Sequence, residues 1–116
     1  MVKAGGKHLI VDYWGVDSAK LTKTKEIESI LKQGAVEAGA TILGSNFHEF
    51  GEGYGITGVI ILSESHISIH TWPEKQYAAI DIFMCGTCDP RCALKILDTY
   101  FVNQYSKTQM IERGEQ

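Results

Sequence analysis

Ser65, His66, Ser68, His70, Asp81 and Cys85 stand close together in the middle of the chain. These residue types can move protons, attack carbonyls or hold metals. Imidazole titrates nearest neutral pH, a thiol or hydroxyl can act as a nucleophile, and a carboxylate can orient an imidazole. Two more cysteines follow, so Cys85-x-x-Cys88-x-x-x-Cys92 can also be read as a metal or cluster site completed by His66 or His70. Taken singly, each residue has an ordinary reading. Ser65 reads as a turn serine, His70 as a hydrogen-bonded sheet histidine, His66 as structural, and Asp81 as the partner of a neighbouring basic group. Cys88 reads as a loop thiol and Cys92 as a helix-packing residue, while His8, Trp14 and His48 read as packing or surface residues.

What distinguishes the set, Ser65 apart, is the face its members share. Side chains alternate sides along a strand. If 66–72 is a strand, Ile67, Ile69 and Thr71 take one side and His66, Ser68, His70 and Trp72 the other. If 77–85 is a strand, Ala78, Ile80, Ile82 and Met84 separate from Tyr77, Ala79, Asp81, Phe83 and Cys85 in the same way. The apolar sets need a partner layer, and the chemical set is left on the opposite face. A polar sheet face in water is ordinary, but histidine, cysteine and tryptophan are unusual choices for one.

The remaining elements follow from period and punctuation. Residues 8–14, 41–50, 57–63 and 105–112 read as strands. Ile27, Ile30, Leu31, Gly34, Ala35 and Ala38 recur at the spacing of one helical stripe over 24–38. Thr24 is placed to cap that helix and Gly39 to stop it. Asp89-Pro90 starts a second helix, with Ala93, Leu94, Leu97, Tyr100 and Phe101 as its stripe. The segment 51–55 is a glycine-rich loop, 73–76 is a turn, and Lys20–Lys25 is a solvated stretch before the helix. Strands joined by short turns pair antiparallel. The expected fold class is α+β: a two-layer α/β sandwich, an antiparallel sheet with two helices on one face, dimerising through what is left bare. Between two of these strands sits Glu64-Ser65, with hardly a residue to spare and no Gly, Asn or Pro to make the turn easy. Backbone strain is expected there.

The 116 residues fit one domain with frayed ends at 1–6 and 113–116. Hydrophobic residues at 44% and charged residues at 22% exclude a disordered chain. A net charge of −3 argues against a nucleic-acid partner. No apolar run is long enough to span a bilayer, and the start lacks the apolar core of a secretory signal. Three cysteines within 85–92 make no disulfide framework, so a reducing, cytoplasmic location is expected.

Leu62-Ser-Glu-Ser-His-Ile-Ser-Ile-His-Thr-Trp-Pro-Glu74 resembles the small prokaryotic S-adenosylmethionine decarboxylase proenzymes, which are pyruvoyl-dependent. Gly6-Lys-His-Leu9, Phe47-His48 with Phe50, Tyr77-Ala-Ala-Ile-Asp81 and Phe83-Met-Cys-Gly86 extend the likeness over about residues 5–113. The resemblance implies one decarboxylase domain, 1–116, that cuts itself into a β chain, 1–64, and an α chain, 65–116. Ser65 Oγ attacks the Glu64 carbonyl and the peptide bond becomes an ester. Elimination with His70 taking the α-proton, then hydrolysis, leaves a covalent pyruvoyl group made from Ser65 itself. Thr57 stands where the family uses a hydroxyl, usually serine, to help processing.

The pyruvoyl carbonyl forms a Schiff base with the substrate amine and withdraws charge as carbon dioxide leaves, as pyridoxal phosphate does elsewhere. By the same resemblance Cys85 reprotonates the substrate carbon. Phe50 stacks on adenine opposite His70. Ser68, Trp72, Glu74 and the backbone near Ile67 help hold the nucleoside, although the 51–55 loop is one residue longer than the usual pattern. S-adenosylmethionine is the implied partner, no metal is implied, and the product is the aminopropyl donor of spermidine biosynthesis. Two processed units are expected to form a homodimer with active sites near its interface. Two other functions compete: a pyruvoyl-dependent arginine or ornithine decarboxylase on the same scaffold, and a non-enzymatic, ferredoxin-like binding module.

Overall fold

The computed structural model describes residues 5–114. Six strands form one antiparallel sheet: β1 (Gly6–Trp14), β2 (Ile42–Glu49), β3 (Ile56–Leu62), β4 (Ser65–Trp72), β5 (Tyr77–Cys85) and β6 (Tyr105–Arg113). Helix α1 (Thr24–Glu37) joins β1 to β2, and α2 (Pro90–Tyr100) joins β5 to β6. The spatial order is β2-β3-β4-β5-β1-β6. Strands β2 to β5 are consecutive hairpins, as their short connections require, and β1 inserts between β5 and the edge strand β6. The sandwich expected from the sequence is the one observed. The expected fraying holds for neither described end, since Gly6 and Arg113 are register partners; residues 1–4 and 115–116 lie outside the described residues.

Period-two alternation builds the core. Leu9, Val11 and Tyr13 of β1, Ile56 and Ile60 of β3, Ile67 and Ile69 of β4, and Ile80 and Ile82 of β5 are all buried on the helix side. Each such side chain contributes roughly 1.5–3 kcal/mol by leaving water. The helices answer with Ile27, Leu31 and Ala35 from α1 and Ala93 and Leu97 from α2. They close on Gly34, where an added Cβ would lie 2.9 Å from Leu97 Cδ1.

Two local expectations are corrected. Thr24 does not cap α1: it is the first helical residue, Lys23 holds the cap position without a side-chain bond, and the buried Thr24 hydroxyl finds no partner. Nor is Lys20–Lys25 merely solvated. Ser18–Leu21 forms a 3-10 turn, Leu21 is fully buried, and Lys20 Nζ donates to the Tyr100 carbonyl at 3.1 Å. The turn is tied to the sheet through Thr71, whose Oγ1 donates to the Leu21 carbonyl at 2.8 Å and accepts from Ile56 N–H at 2.9 Å. A buried hydroxyl is stable there because both its roles are satisfied.

This tie fixes the place where β3 leaves the 51–55 loop. A Cβ on Gly55 would run into the Thr71 carbonyl oxygen. Because that oxygen is backbone, Gly55→Ala is expected to destabilise the chain by about 1–3 kcal/mol, read as a lower midpoint in urea unfolding. An unchanged midpoint would show that the loop can move aside.

Candidate active site

The face without helices carries the residues that parity assigned to it. Register places His66 opposite Phe83, Ser68 opposite Asp81, His70 opposite Ala79 and Trp72 opposite Tyr77. The candidates gather at the two ends of β4.

One end is the β3–β4 hairpin. Leu62 pairs with Ser65, leaving Ser63 and Glu64 as a two-residue turn. Glu64 has φ 59°, a left-handed conformation that ordinarily takes glycine or asparagine. Holding glutamate there costs roughly 1–3 kcal/mol, and the next peptide bond is Glu64–Ser65. Ser65 Oγ accepts the Cys85 N–H at 3.2 Å, and Cys85 Sγ donates to the Glu64 carbonyl at 3.1 Å. A cavity of about 200 Å3 opens beside this junction, lined in part by Ser63, Glu64, Cys85, Gly86 and Cys88.

The other end is where β4 runs out toward Pro73. Thr57 Oγ1 and His70 Nδ1 share a hydrogen bond of 3.1 Å across β3 and β4. Both line a cavity of about 330 Å3 together with Phe50, Tyr54, Trp72 and Glu74. The loop that carries Phe50 is closed by its own backbone, with Phe50 N–H donating to the Gly55 carbonyl at 3.2 Å. His48 stands edge-on to the Phe50 ring at 4.6 Å. The extra loop residue noted in the sequence therefore leaves Phe50 on the cavity with His70, Trp72 and Glu74.

Ser65 and His70 are five residues apart on one strand, so roughly 16 Å separates the two ends at 3.3 Å per residue. His70 and Cys85 share a face, as their parity requires, but no single chain brings them together. The middle of β4 holds the other two candidates. Ser68 Oγ donates to Asp81 Oδ2 at 3.3 Å, and His8 Nε2 pairs with Asp81 Oδ1 at 3.1 Å. Asp81 thus has the basic partner expected of it, and His8 is more than packing. Ile67 belongs to the core, fully buried on the helix side and paired with Ile60 and Ile82. Its side chain is therefore not available to a nucleoside.

Burial and neighbouring charge act on two groups of this face. His66 is held below the usual imidazole range by burial first and by the charge of His8 second. The Tyr77 hydroxyl is pushed up to about 12, by burial first and then by the hydrogen bond it donates to Asp12 Oδ1 at 2.6 Å. Tyr77 also belongs to an aromatic row that sequence reading missed. Trp14 stacks on Tyr105 at 5.2 Å and on Tyr77 at 5.7 Å, and Tyr77 stacks on Trp72 at 5.1 Å. The row spans four strands and ends on Trp72 at the second cavity. Tyr54, exposed on the same cavity, was missed too; its only signal was an aromatic ring among loop glycines.

Among the described residues, no group of three His, Cys, Asp or Glu side chains converges on a point that could hold a metal ion. No helix there is long and apolar enough to cross a membrane.

Comparison with known proteins adds the family. The model of the S-adenosylmethionine decarboxylase family matches residues 7–114. An S-adenosylmethionine decarboxylase proenzyme of Fervidobacterium nodosum is 45% identical over 115 residues, covering 98% of this chain and 83% of that protein. One from Thermotoga petrophila is 49% identical over 85 residues, covering 73% of this chain and 65% of that protein. The crystal structure of the adenosylmethionine decarboxylase from Aquifex aeolicus superposes with a TM-score of 0.87 at 33% identity, covering 98% of this chain and 94% of that one.

Proposed function

The chain belongs to the S-adenosylmethionine decarboxylase family, and from that premise we propose that it is made as a precursor, severs its own Glu64–Ser65 bond and decarboxylates S-adenosylmethionine. The observation that carries this reading is the junction itself. A strained Glu64 precedes the bond, its carbonyl accepts from Cys85 Sγ, and the Ser65 hydroxyl is held by the Cys85 N–H. Attack by Ser65 Oγ on the Glu64 carbonyl carbon puts negative charge on the carbonyl oxygen, where the thiol donor already sits. Breaking the C–N bond relieves the left-handed turn, frees the Ser65 amine and leaves an ester. Loss of the Ser65 α-proton then expels the Glu64 carboxylate. Hydrolysis of the remaining enamine, by way of its imine tautomer, releases ammonia and leaves a pyruvoyl group at the head of 65–116.

These residues suit such a group, because Ser65 begins a central strand with a proton-bearing sulfur beside it. When formed, it supplies the electron-withdrawing carbonyl that decarboxylation of an amino acid needs. Cys85 is the acid that protonates the substrate carbon after carbon dioxide leaves. Thr57 orients His70 through their shared hydrogen bond, and His70 removes the α-proton during processing.

The second cavity takes the nucleoside. Phe50 and His70 offer ring faces for adenine, and Glu74 can accept from both ribose hydroxyls. Trp72, braced by Tyr77, faces the sulfonium with an attraction of roughly 0.5–2 kcal/mol. Stacking of a base on an aromatic side chain is worth about 1–3 kcal/mol by alanine substitution. Phe50→Ala is therefore expected to raise KM for adenosylmethionine roughly 5- to 150-fold while self-cleavage proceeds. Unchanged KM would remove Phe50 from the adenine site.

Cleavage chemistry at one end of β4 and nucleoside binding at the other must meet in a working enzyme. A homodimer through the bare sheet face accomplishes this. A two-fold axis near the middle of β4 sets one protomer's Ser65 and Cys85 against its partner's nucleoside cavity, twice per dimer. Exposed Ile61, Ile111, Tyr105 and Trp72 on that face support such an interface. The same reading puts the enzyme in the cytoplasm, where thiols stay reduced.

Intact-mass analysis with a substrate panel tests the function. The expected result is two fragments, 1–64 and a pyruvoyl-headed 65–116, with carbon dioxide released from adenosylmethionine and not from arginine or ornithine. A cut chain acting on arginine or ornithine alone would assign it to the other substrates.

A further inference from the structure

We propose that Cys85 and Cys88 form a reversible disulfide that takes the Cys85 sulfur away from the reacting centre. The effect on activity rests on the proton-donor reading above; the bond itself rests on geometry alone. Strand β5 ends at Cys85, and Cys88 N–H donates back to the Cys85 carbonyl at 3.3 Å. The two cysteines are thus the first and last residues of a β-turn, whose ends lie within 7 Å between Cα atoms. That is the range a disulfide spans. Gly86 makes so tight a turn possible with φ 65°.

Both cysteines are half-buried and border the cavity beside the Glu64–Ser65 junction, and Cys88 also lines the neighbouring cavity of about 90 Å3 next to Gly6. Small reagents therefore have two approaches. Cys92 borders neither cavity; it sits in the first turn of α2 with its N–H bonded to the Asp89 carbonyl, and like Cys88 it packs partly against the core. The third thiol is left out of the pair. Cysteine pairs that oxidise in a reducing compartment are ordinarily transient and regulatory.

The oxidant is a peroxide. The Cys85 sulfur attacks one peroxide oxygen, the O–O bond breaks, and sulfur becomes a sulfenic acid as the first water leaves. The Cys88 sulfur then attacks that sulfur, the S–O bond breaks, and the second water leaves. In total, two thiols and one hydrogen peroxide give one disulfide and two waters. A dithiol reverses the bond by exchange. While oxidised, Cys85 has no proton to give.

The test treats processed enzyme with hydrogen peroxide, alkylates the free thiols and maps the peptides. The expected result is a Cys85–Cys88 peptide lighter by two hydrogens, appearing together with an activity loss of about a hundredfold that dithiothreitol reverses. Cys88→Ser should keep basal activity, form no link and lose its reversibility, as Cys85 passes on to the sulfinic state. Cys92→Ser should behave like the unaltered enzyme. Absence of the link in the unaltered enzyme, or a link to Cys92, would each overturn the disulfide. A link that leaves turnover untouched would instead overturn Cys85 as the proton donor, and the switch with it.

Discussion

Ser65→Ala is expected to leave a single uncut chain with no measurable release of carbon dioxide, a loss of the entire enzymatic acceleration of at least about a millionfold. The hydroxyl is required twice. It is the nucleophile that breaks the Glu64–Ser65 bond, and its own carbon skeleton becomes the group on which the reaction depends. Neither need can be met by a neighbour, since Ser63 lies on the far side of the bond and Ser68 is engaged with Asp81.

Folding should survive the change. The alanine removes one hydrogen bond, from Cys85 N–H, worth about 0.5–1.5 kcal/mol. Circular dichroism and the melting transition should therefore stay near those of the unaltered precursor. A carbonyl-trapping hydrazine should label the unaltered α chain and fail to label Ser65→Ala. Turnover by the uncut variant would remove both the pyruvoyl group and the self-cleavage from the account.

The fold was legible wherever short-range periodicity carries the information. Alternation along 66–72 and 77–85 separated Ile67, Ile69, Ile80 and Ile82 from His66, Ser68, His70, Asp81 and Cys85, and burial follows that division. The turn at Glu64 was legible for a different reason. Two strand patterns met with too few residues between them and no glycine, and a positive φ at Glu64 is the consequence. The four-residue turn at Ser18–Leu21 was not legible, because it is too short to repeat any period and its purpose is tertiary: Leu21 fills the core and its carbonyl takes the Thr71 hydroxyl. Thr24 looked like a cap because capping depends on residue type, whereas the true start of α1 is set by Lys23 one position earlier.

The aromatic row of Tyr105, Trp14, Tyr77 and Trp72 needs the order β4-β5-β1-β6, and the placement of β1 between β5 and β6 is a long-range pairing with no local trace. The candidate site was legible as a set of residues but not as an arrangement. Sequence separation places Ser65 and His70 at opposite ends of β4. No spacing within one chain encodes what a second copy brings to each end.

That division of labour yields the second large effect. His70→Ala and Cys85→Ala should each lower decarboxylation by a factor on the order of 100 to 10,000 when the variant is the only chain present. Co-expressed, the two should recover activity. In a mixed dimer one site joins both altered residues and is dead, while the other joins the unaltered Cys85 of one chain to the unaltered His70 of its partner. Random pairing of equal amounts makes half of all dimers mixed, each with one good site of two, so about a quarter of the unaltered activity should return.

Chains must be mixed during synthesis, because cleavage in the good site also depends on the partner's His70. Tags on the two variants allow mixed dimers to be isolated, and their activity should approach about half of normal. If His70 and Cys85 of the same chain served one site, every site in the mixture would lack one of them and no recovery would occur. Complementation near a quarter therefore selects the shared arrangement, and complementation near zero selects a site that closes on itself within one chain. The latter would require β4 to bend back over roughly 16 Å, which a strand paired on both sides has no freedom to do.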